Sequence, residues 1–581
     1  MPAFMERRAA GWPAPERAAA ARVLRCHDVA AWHWPGLWAP GAEDSLPLDL
    51  DGWTGSGVLR LDDRAALVAR LLHAGCPGPD DDATLAWRSF RAWGDEAARH
   101  WIGDYAVAAV SPERDRLVVS RGVTGVRSCF HVSIDGTECV SDDLALLAAL
   151  AGTSGHPAEQ AVVEFLRFGY LATPTLTFHA GITRIPAAHT LVVRRDGARR
   201  IERHWHLPEP GTRHDISEAD VVEGFREVLG AAIADRLRGP RATVLLSGGL
   251  DSPTLAVVAR EACPQVAIEG ITVSWARLFE DGEAGFARMA AVATGIDHEV
   301  WEHAPDDSLF DETPFCSPEP LSDPEPRLVR ARAARLATHA PVALLGEDVD
   351  ALLTPLPLAA QLRLDGVART IRAWRDFHRL TGARPWIGAR RSIPWLERWR
   401  DRRTMRPPRW LRPDVAGSHP VPDVPPGTPH PSHALAARSF LQPIWDATCW
   451  LDDPRMSGAD VVVLLPFMDP RVIRFCLSLP SVPWLQRKHL LRRAMRGHLP
   501  TALLERAKSP LGEYASARVR VWREGGGVSR LPKAVDGSVA SWVDVALWRR
   551  TLDSVVAEDV MSAWRVVELS RWLQQPTSGT K

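Results

Sequence analysis

The chain has 581 residues, of which 46% are hydrophobic and 24% charged, and its formal net charge is −1. That length predicts at least two domains with sizeable cores, and the balanced charge gives no electrostatic basis for nucleic acid or an acidic membrane surface as main partner. No apolar run is long enough to span a bilayer, and residues 1–20 carry charges without a continuous apolar core, so no signal peptide is read there and a cytoplasmic protein is expected.

Residues 1 to about 210 read as strand-rich. Short β-prone runs recur at Tyr105–Val110, Leu117–Ser120, Cys129–Ile134 and Thr190–Arg194, separated by turn residues, with helical patterns at Arg64–Ala74 and Leu144–Ala151. A helix is predicted from near Ser217 toward Leu237, where Val221, Val222, Phe225, Val228, Leu229, Ala232 and Ile233 recur at helical spacing. Strands at Ala242–Leu246, Ile268–Ser274 and Val342–Leu345 then alternate with helices at 253–263, 283–293 and 327–338, the pattern of a parallel sheet. Residues 401–432 are rich in Pro and Arg and predict an irregular excursion or lid. From Phe440 to about Leu573 the pattern is helical.

The most informative run is Val-Leu-Leu-Ser-Gly-Gly-Leu-Asp-Ser at 244–252. A short strand enters a small-residue turn, and a helix follows at once, which gathers backbone N–H groups around an anion. Ser247, Gly248 and Gly249 permit close approach of a phosphate. Ser252 is expected to cap the helix, with Pro253 in its first turn. Asp251 would repel a phosphate unless a cation lies between them, which implies Mg2+. No Walker motif is present. The run resembles the Ser-Gly-Gly-x-Asp-Ser signature of the ATP pyrophosphatase (PP-loop) enzymes, which cleave ATP between the α and β phosphates to form acyl-adenylates.

Two scarcities add to this. Only four of the 70 basic residues are lysine: Lys488, Lys508, Lys533 and Lys581. A lysine kept under such bias is a candidate for a role that arginine cannot fill, and Lys488 and Lys508 share one ordered-looking segment. The eight cysteines, at 26, 76, 129, 139, 263, 316, 449 and 476, form no Cys-x-x-Cys pair or zinc spacing, which predicts buried reduced thiols. The 24 tryptophans are expected in cores, at domain contacts or along a peptide groove.

Several segments resemble the asparagine synthetase family, in order: residues 100–131 and 177–193 its glutaminase-type sandwich, 244–252 its PP-loop, 295–300 and 318–323 two downstream blocks, 344–353 its Gly-Glu-x-x-Asp loop, and 464–480, 488–500 and 503–511 the remainder. The resemblance implies an α/β protein. An N-terminal degenerate glutaminase-like (Ntn-type) α+β sandwich, 1–210, would precede a PP-loop parallel-sheet synthetase domain with extra helices, 211–581. The family's glutaminase half uses an N-terminal cysteine, whereas this sequence begins Met1-Pro2-Ala3-Phe4 and its first cysteine is Cys26. Glutamine hydrolysis is therefore not expected, and the attacking amine would come from the substrate itself, as in lasso peptide cyclases and β-lactam synthetases.

By this resemblance the cofactors are ATP and Mg2+, with Asp251 and Asp350 as metal ligands; the plain alternative for Asp350 is helix capping. Lys508 would stabilise the adenylating transition state, with Lys488 as runner-up. Glu347 would be the general base; β-lactam synthetases place a tyrosine there. Leu245, Val273 and Gly346 would flank the adenine, with strand core as the alternative. Glu319 would orient substrate or metal, or serve the structure. Asp469 is expected to hold the fold through Arg471 or a helix end, and His298 to be a satisfied histidine. The leading expectation is a lasso peptide macrolactam cyclase acting on a precursor peptide, with a leader-binding protein and a leader peptidase as partners. The alternatives are a small-molecule amide or β-lactam synthetase, and an inactive scaffold.

Overall fold

The computed structural model describes residues 22–26 and 29–33 as backbone, then 52–113, 115–153, 156–207, 216–277, 282–302, 317–321, 326–347, 349–388, 406–419, 444–506, 512–526, 528, 531 and 534–575. In chain order the first part contains β1 (Arg22–Cys26), β2 (Val29–His33), β3 (Thr54–Asp62), α1 (Arg64–His73), α2 (Asp82–Trp93), β4 (Ile102–Val110), β5 (Arg116–Arg121), β6 (Phe130–Ile134), β7 (Thr137–Ser141), α3 (Leu144–Leu150), α4 (Glu159–Phe168), β8 (Thr183–Arg184), β9 (His189–Arg194) and β10 (Arg199–Arg203). These strands form two sheets, ordered β1-β2-β7-β6-β8 and β10-β9-β5-β4-β3. The alternation along β4 explains the layering. Tyr105, Val107 and Ala109 pack under α1 and α2 with Trp87 and Phe90, while Ala106, Ala108 and Val110 face the other sheet with Cys129 and Val140. α3 covers the far side of that sheet through Leu144 and Leu147, against Phe130 and Val132. The result is the expected α+β sandwich.

The second part contains α5 (Glu218–Arg236), β11 (Arg241–Leu245), α6 (Asp251–Ala262), β12 (Ala267–Ser274), α7 (Glu283–Thr294), β13 (Asp297–Glu302), α8 (Pro326–His339), β14 (Val342–Leu344), α9 (Val349–Leu352), α10 (Leu358–Thr381) and β15 (Val462–Leu464). Its five strands are all parallel, in the order β13-β12-β11-β14-β15. Both faces are buried. Ala242, Val244, Leu344, Val462 and Leu464 face one core; Ala343, Leu345, Val461, Val463 and Leu465 face the other. Such strands read as unbroken apolar runs, which is why β15 was not distinguished from helix in the sequence pattern. β13 escaped notice for the opposite reason: Asp297, Glu299 and Glu302 make it a polar edge strand. The helix expected from Ser217 runs Glu218–Arg236, with the Ser217 side chain accepting from Asp220 N.

The 401–432 stretch departs from the expected excursion where it is described. Trp410 and Leu411 are buried among Trp548, Trp564 and Trp572 of the C-terminal helices and Phe165 of α4, and Arg412 N donates to Trp542 O at 3.0 Å. Residues 401–405 and 420–432 lie outside the described residues, as do the expected domain boundary near 210 and the opening Met1–Ala20. Six cysteines are described; all are buried and free. Among the described residues no helix is long and apolar enough to cross a membrane.

Sandwich and parallel-sheet part are joined by a buried ionic network. Arg236 at the end of α5 pairs with Asp62 of β3 at 3.1 Å and with Asp469 at 2.7 Å. Arg60 continues it to Asp62 at 3.0 Å and Asp104 at 3.3 Å, and Arg471 bonds Asp469 at 2.9 Å and Asp235 at 2.7 Å. Asp469 also caps the helix Pro470–Leu477 by accepting from Arg471 N. This is the structural role the sequence suggested for it. Burial alone would raise the Asp469 carboxyl, but Arg236 and Arg471 outweigh it and hold it down at about 2. Glu319 is likewise structural: it accepts from Phe178 N at 2.9 Å and pairs with Arg184, tying the chain between β13 and α8 back to the sandwich.

Asp469→Asn should therefore lower unfolding free energy at neutral pH by about 3–5 kcal/mol, because Arg236 and Arg471 keep buried charge without its counter-charge. A depressed carboxyl contributes stability above its unfolded value and loses it as pH falls through the folded one. Denaturant unfolding of both proteins should thus show the difference shrinking between pH 3.8 and about 2.

Candidate active site

Strand order places the site. β12 and β13 lie on one side of β11, β14 and β15 on the other, so the chain changes direction between β11 and β14. In open parallel sheets the crevice at the carboxyl ends of such strands is where ligands bind. The loop after β11 is the Ser247–Ser252 turn, and the loop after β14 carries Gly346, Glu347 and Asp350. The two loops meet closely: a Cβ on Gly346 would lie 3.0 Å from Ser252 N and 3.2 Å from Asp251 Cβ, a contact that would push the two loops apart by a few tenths of an ångström.

The Ser247–Ser252 turn is tied by its own hydroxyls. Ser247 N donates to Ser252 Oγ at 2.7 Å, the two hydroxyls are 3.0 Å apart, and Gly249 N donates to Ser247 Oγ at 3.2 Å. This corrects the expected role of Ser252. α6 begins at Asp251, and its preceding residue Leu250 makes no side-chain cap. Ser252 already lies inside the helix and its hydroxyl braces the loop instead. Leu245 and Val273 stand at the carboxyl ends of β11 and β12, both partly exposed, as a flat ligand lying across this edge would require.

The two acids singled out in sequence converge on one cation, which is Lys488. Its Nζ lies 2.8 and 2.5 Å from the two Asp251 carboxylate oxygens and 2.8 Å from Asp350 Oδ1. Lys488 and the preceding Arg487 both adopt left-handed backbone, φ 54° and 51°. Non-glycine residues pay for that conformation in strain and cluster at functional sites. Among the described residues no three His, Cys, Asp or Glu side chains are grouped to hold a metal. Asp251 and Asp350 nevertheless suit a magnesium ion. Their oxygens already meet at one cationic point, and magnesium at nucleotide sites takes one or two carboxylates and draws its other ligands from phosphate and water.

Glu347 has an exposed side chain, yet desolvation by surrounding protein raises its carboxyl above the ordinary value, helped by Asp452, Asp251 and Asp350 and opposed by Arg332. Arg332, which bonds Asp452 at 2.6 Å, forms part of its surroundings. A carboxylate held high in this way is suited to accept a proton near neutral pH. Lys508 lies outside the described residues. His298 is satisfied by Thr272 Oγ1 at 2.7 Å and takes no part.

Sequence reasoning ranked Lys488 second, and its rarity as a lysine was the signal that marked it. Glu283 and Arg506 were missed. Glu283 Oε2 accepts from Gly248 N at 2.7 Å, and Arg506 Nη2 donates to Glu283 Oε1 at 2.6 Å. No local pattern links residues 35 and 223 positions apart.

Comparison with known proteins gives the family. The asparagine synthase family model matches residues 224–574, and the glutamine amidotransferase domain model matches 79–205. Asparagine synthetase 3 (glutamine-hydrolysing) of Bacillus subtilis strain 168 is 24% identical over 538 residues, 85% of this chain and 80% of that protein. Amidase chyE of Penicillium rubens is 26% identical over 178 residues, 30% of this chain and 26% of that protein. Among solved structures, the glutamine phosphoribosylpyrophosphate amidotransferase of B. subtilis aligns over 45% of this chain and 65% of its own, with 11% identity and a TM-score of 0.21, too low to argue from. The chain belongs to the asparagine synthase family, whose members are ATP-dependent amide-forming ligases.

Lys488→Met would leave Asp251 and Asp350 adjacent without their shared cation. ATP turnover should fall about 10²–10³-fold, the cost of removing one preorganised charge-stabilising group. Lys488→Arg should not restore it, because the planar fork cannot place its charge where a compact ammonium sits. Steady-state assay of both variants checks this.

Proposed function

We propose that this family member is an ATP-dependent macrolactam synthetase of the lasso peptide cyclase kind. A side-chain carboxylate oxygen of Asp or Glu in a leaderless precursor peptide attacks the α-phosphorus of ATP, and pyrophosphate leaves. The peptide's own N-terminal amine then attacks the acyl carbon, AMP leaves, and the amine proton passes to Glu347. Lys508 stabilises charge at phosphorus and then at the acyl oxygen, and Lys488 supports it from the carboxylate pair. Leu245, Val273 and Gly346 flank the adenine, and the Ser247–Ser252 turn receives the phosphates. Asp251 and Asp350 would hold magnesium, which when bound neutralises phosphate charge. The family reading also implies a leader-binding protein and a leader peptidase as partners.

The observation that carries the peptide reading is the wall beside the site. α10 and the residues after it pack against the segment that delivers Lys488: Phe377 meets the His489 ring at 5.9 Å, and Trp386 N donates to Gln486 Oε1 at 2.9 Å. The outer surface of this wall exposes Val367, Ile371, Leu380, Trp386 and Ile387, interleaved with exposed Arg369, Arg372, Arg375 and Arg379. These exposed apolar and arginine side chains, on an element packed against the Lys488 segment, are read as the surface that holds a peptide, which an amino-acid-sized substrate would not need. The sandwich supports a substrate-borne amine. Cys129 and Cys139 are poor nucleophiles, since burial pushes the first up to about 12 and the second to about 11.

Incubating the protein with ATP, Mg2+, a leaderless peptide carrying a ring-forming Asp or Glu, and its leader-binding partner should give a peptide lighter by one water, with one AMP and one pyrophosphate per ring, read by mass spectrometry and nucleotide analysis. AMP formed only with free amino acids would replace the peptide reading with a small-molecule amide or β-lactam synthetase. ATP binding with no AMP from any carboxylate would leave a scaffold.

Glu347→Gln should reduce ring closure about 10²-fold while ATP still binds. Because the base must be deprotonated and its carboxyl is raised, the acid limb of the wild-type kcat/KM profile should lie above the ordinary glutamate value of about 4.3 and disappear in the variant.

A further inference from the structure

One amide of the Ser247–Ser252 turn is taken by a side chain from another element. Gly248 N donates to Glu283 Oε2 at 2.7 Å, and the other oxygen of that carboxylate accepts from Arg506 Nη2 at 2.6 Å. The guanidinium lies 4.3 Å over the Phe286 ring, and a Cβ on Gly248 would come within 2.2 Å of Arg506 Nη1. The cation therefore presses against the loop. Three separate elements converge here: the turn after β11, the first residue of α7, and the chain just past the helix Thr501–Leu504. A backbone N–H and a guanidinium that each hold one oxygen of the same anion form an oxyanion-binding pair. A carboxylate now fills it with the two-oxygen reach of a phosphate.

We propose that Gly248 N–H and Arg506 form a phosphate-oxygen subsite of the nucleotide site, and that Glu283 is its resident placeholder, an internal anion that the nucleotide must displace. This deepens the ATP reading and rests on it. While Glu283 is seated, the subsite is neutral and closed. When a pyrophosphate oxygen enters, it takes the amide and the guanidinium, and Glu283 turns to solvent. Only the fraction of molecules with Glu283 displaced binds directly, so the placeholder weakens apparent affinity by that fraction. Glu283 is in this sense a positioning residue, and Arg506 a binding one.

A structural role for Glu283 and a placeholder role differ in sign. Binding of Mg2+–pyrophosphate and of a non-hydrolysable Mg2+–ATP analogue to the full chain would be measured by calorimetry, alongside the melting temperature of each ligand-free protein. Glu283→Gln is expected to lower the melting temperature yet tighten both ligands by about tenfold. Arg506→Gln should weaken both by roughly 10–100-fold, the loss of a hydrogen bond to a charged group. Glu283→Asp keeps a charge at the start of α7 but is too short to reach both partners. It should tighten binding to a lesser degree, and it serves as the test if Glu283→Gln does not fold. Binding that weakens in step with melting temperature in the Glu283 variants overturns the proposal. So does unchanged affinity in them, while wild type binds normally. Failure of wild type to bind either ligand would instead strike the ATP reading.

Discussion

Two acidic loops cannot share the carboxyl edge of one sheet without a cation between them, and the ammonium of Lys488 meets that constraint here. Asp251 starts α6 and Asp350 is the second residue of α9; the reversal of strand order between β11 and β14 makes the two loops neighbours. Lys488 comes from a distant part of the chain, 237 residues beyond Asp251. It reaches both acids only because Arg487 and Lys488 accept left-handed backbone. That strain has to be held by surroundings that over-determine it. Here they are the buried Leu485, Leu490 and Leu491 on either side, all in the core that packs α5 and α6 onto the sheet. The core of the domain and the charge balance of its site are thus one arrangement.

The sandwich contributes to this arrangement through a buried ionic network. Arg236 lies between Asp62 of β3 and Asp469, and Asp469 caps the helix that follows β15. β15 pairs with β14 in register Val342–Val462 to Leu344–Leu464, and β14 leads into the Glu347 and Asp350 loop. A buried ion network is weak evidence for net stability but strongly favours one geometry, since any other leaves an uncompensated charge. The same can be said of Glu319, whose two bonds reach Phe178 and Arg184 of the sandwich. A domain related to glutamine amidotransferases by its family match is in this chain a bracing layer for the edge of the synthetase sheet.

What was legible from sequence follows the range of the signal. The motif at 244–252, the helix at 218–236 and the central strands are local patterns, and the structure places them within a residue or two. Asp251, Glu347 and Asp350 could be singled out because each follows a recognisable strand. β13 and β15 were not legible, since a three-residue buried strand and a charged edge strand both lack a period to read. Ser252 has the sequence context of a helix cap, but its hydroxyl accepts from Ser247 N and the helix starts two residues earlier than a cap at Ser252 would allow. Arg506 and Glu283 meet only in three dimensions. In a chain with 66 arginines, nothing distinguishes one of them, whereas four lysines made Lys488 visible.

The site as it stands is held by internal ion pairs where a loaded one would hold ligand. An ammonium lies between the carboxylates suited to a metal, and a carboxylate lies across the amide and guanidinium suited to a phosphate. Binding a metal–nucleotide pair would then exchange internal ion pairs for external ones instead of adding new charge to an empty cleft. An exchange of this kind yields only the difference between two sets of contacts, so affinity is moderate even though every group is charge-assisted. In the proposed reaction, where pyrophosphate must leave, moderate affinity is an advantage: groups that bound substrate and leaving group equally tightly would lower KM without raising turnover. The resident Lys488 and Glu283 would resume their places as product leaves, which gives the departing pyrophosphate a competitor already tethered at the site.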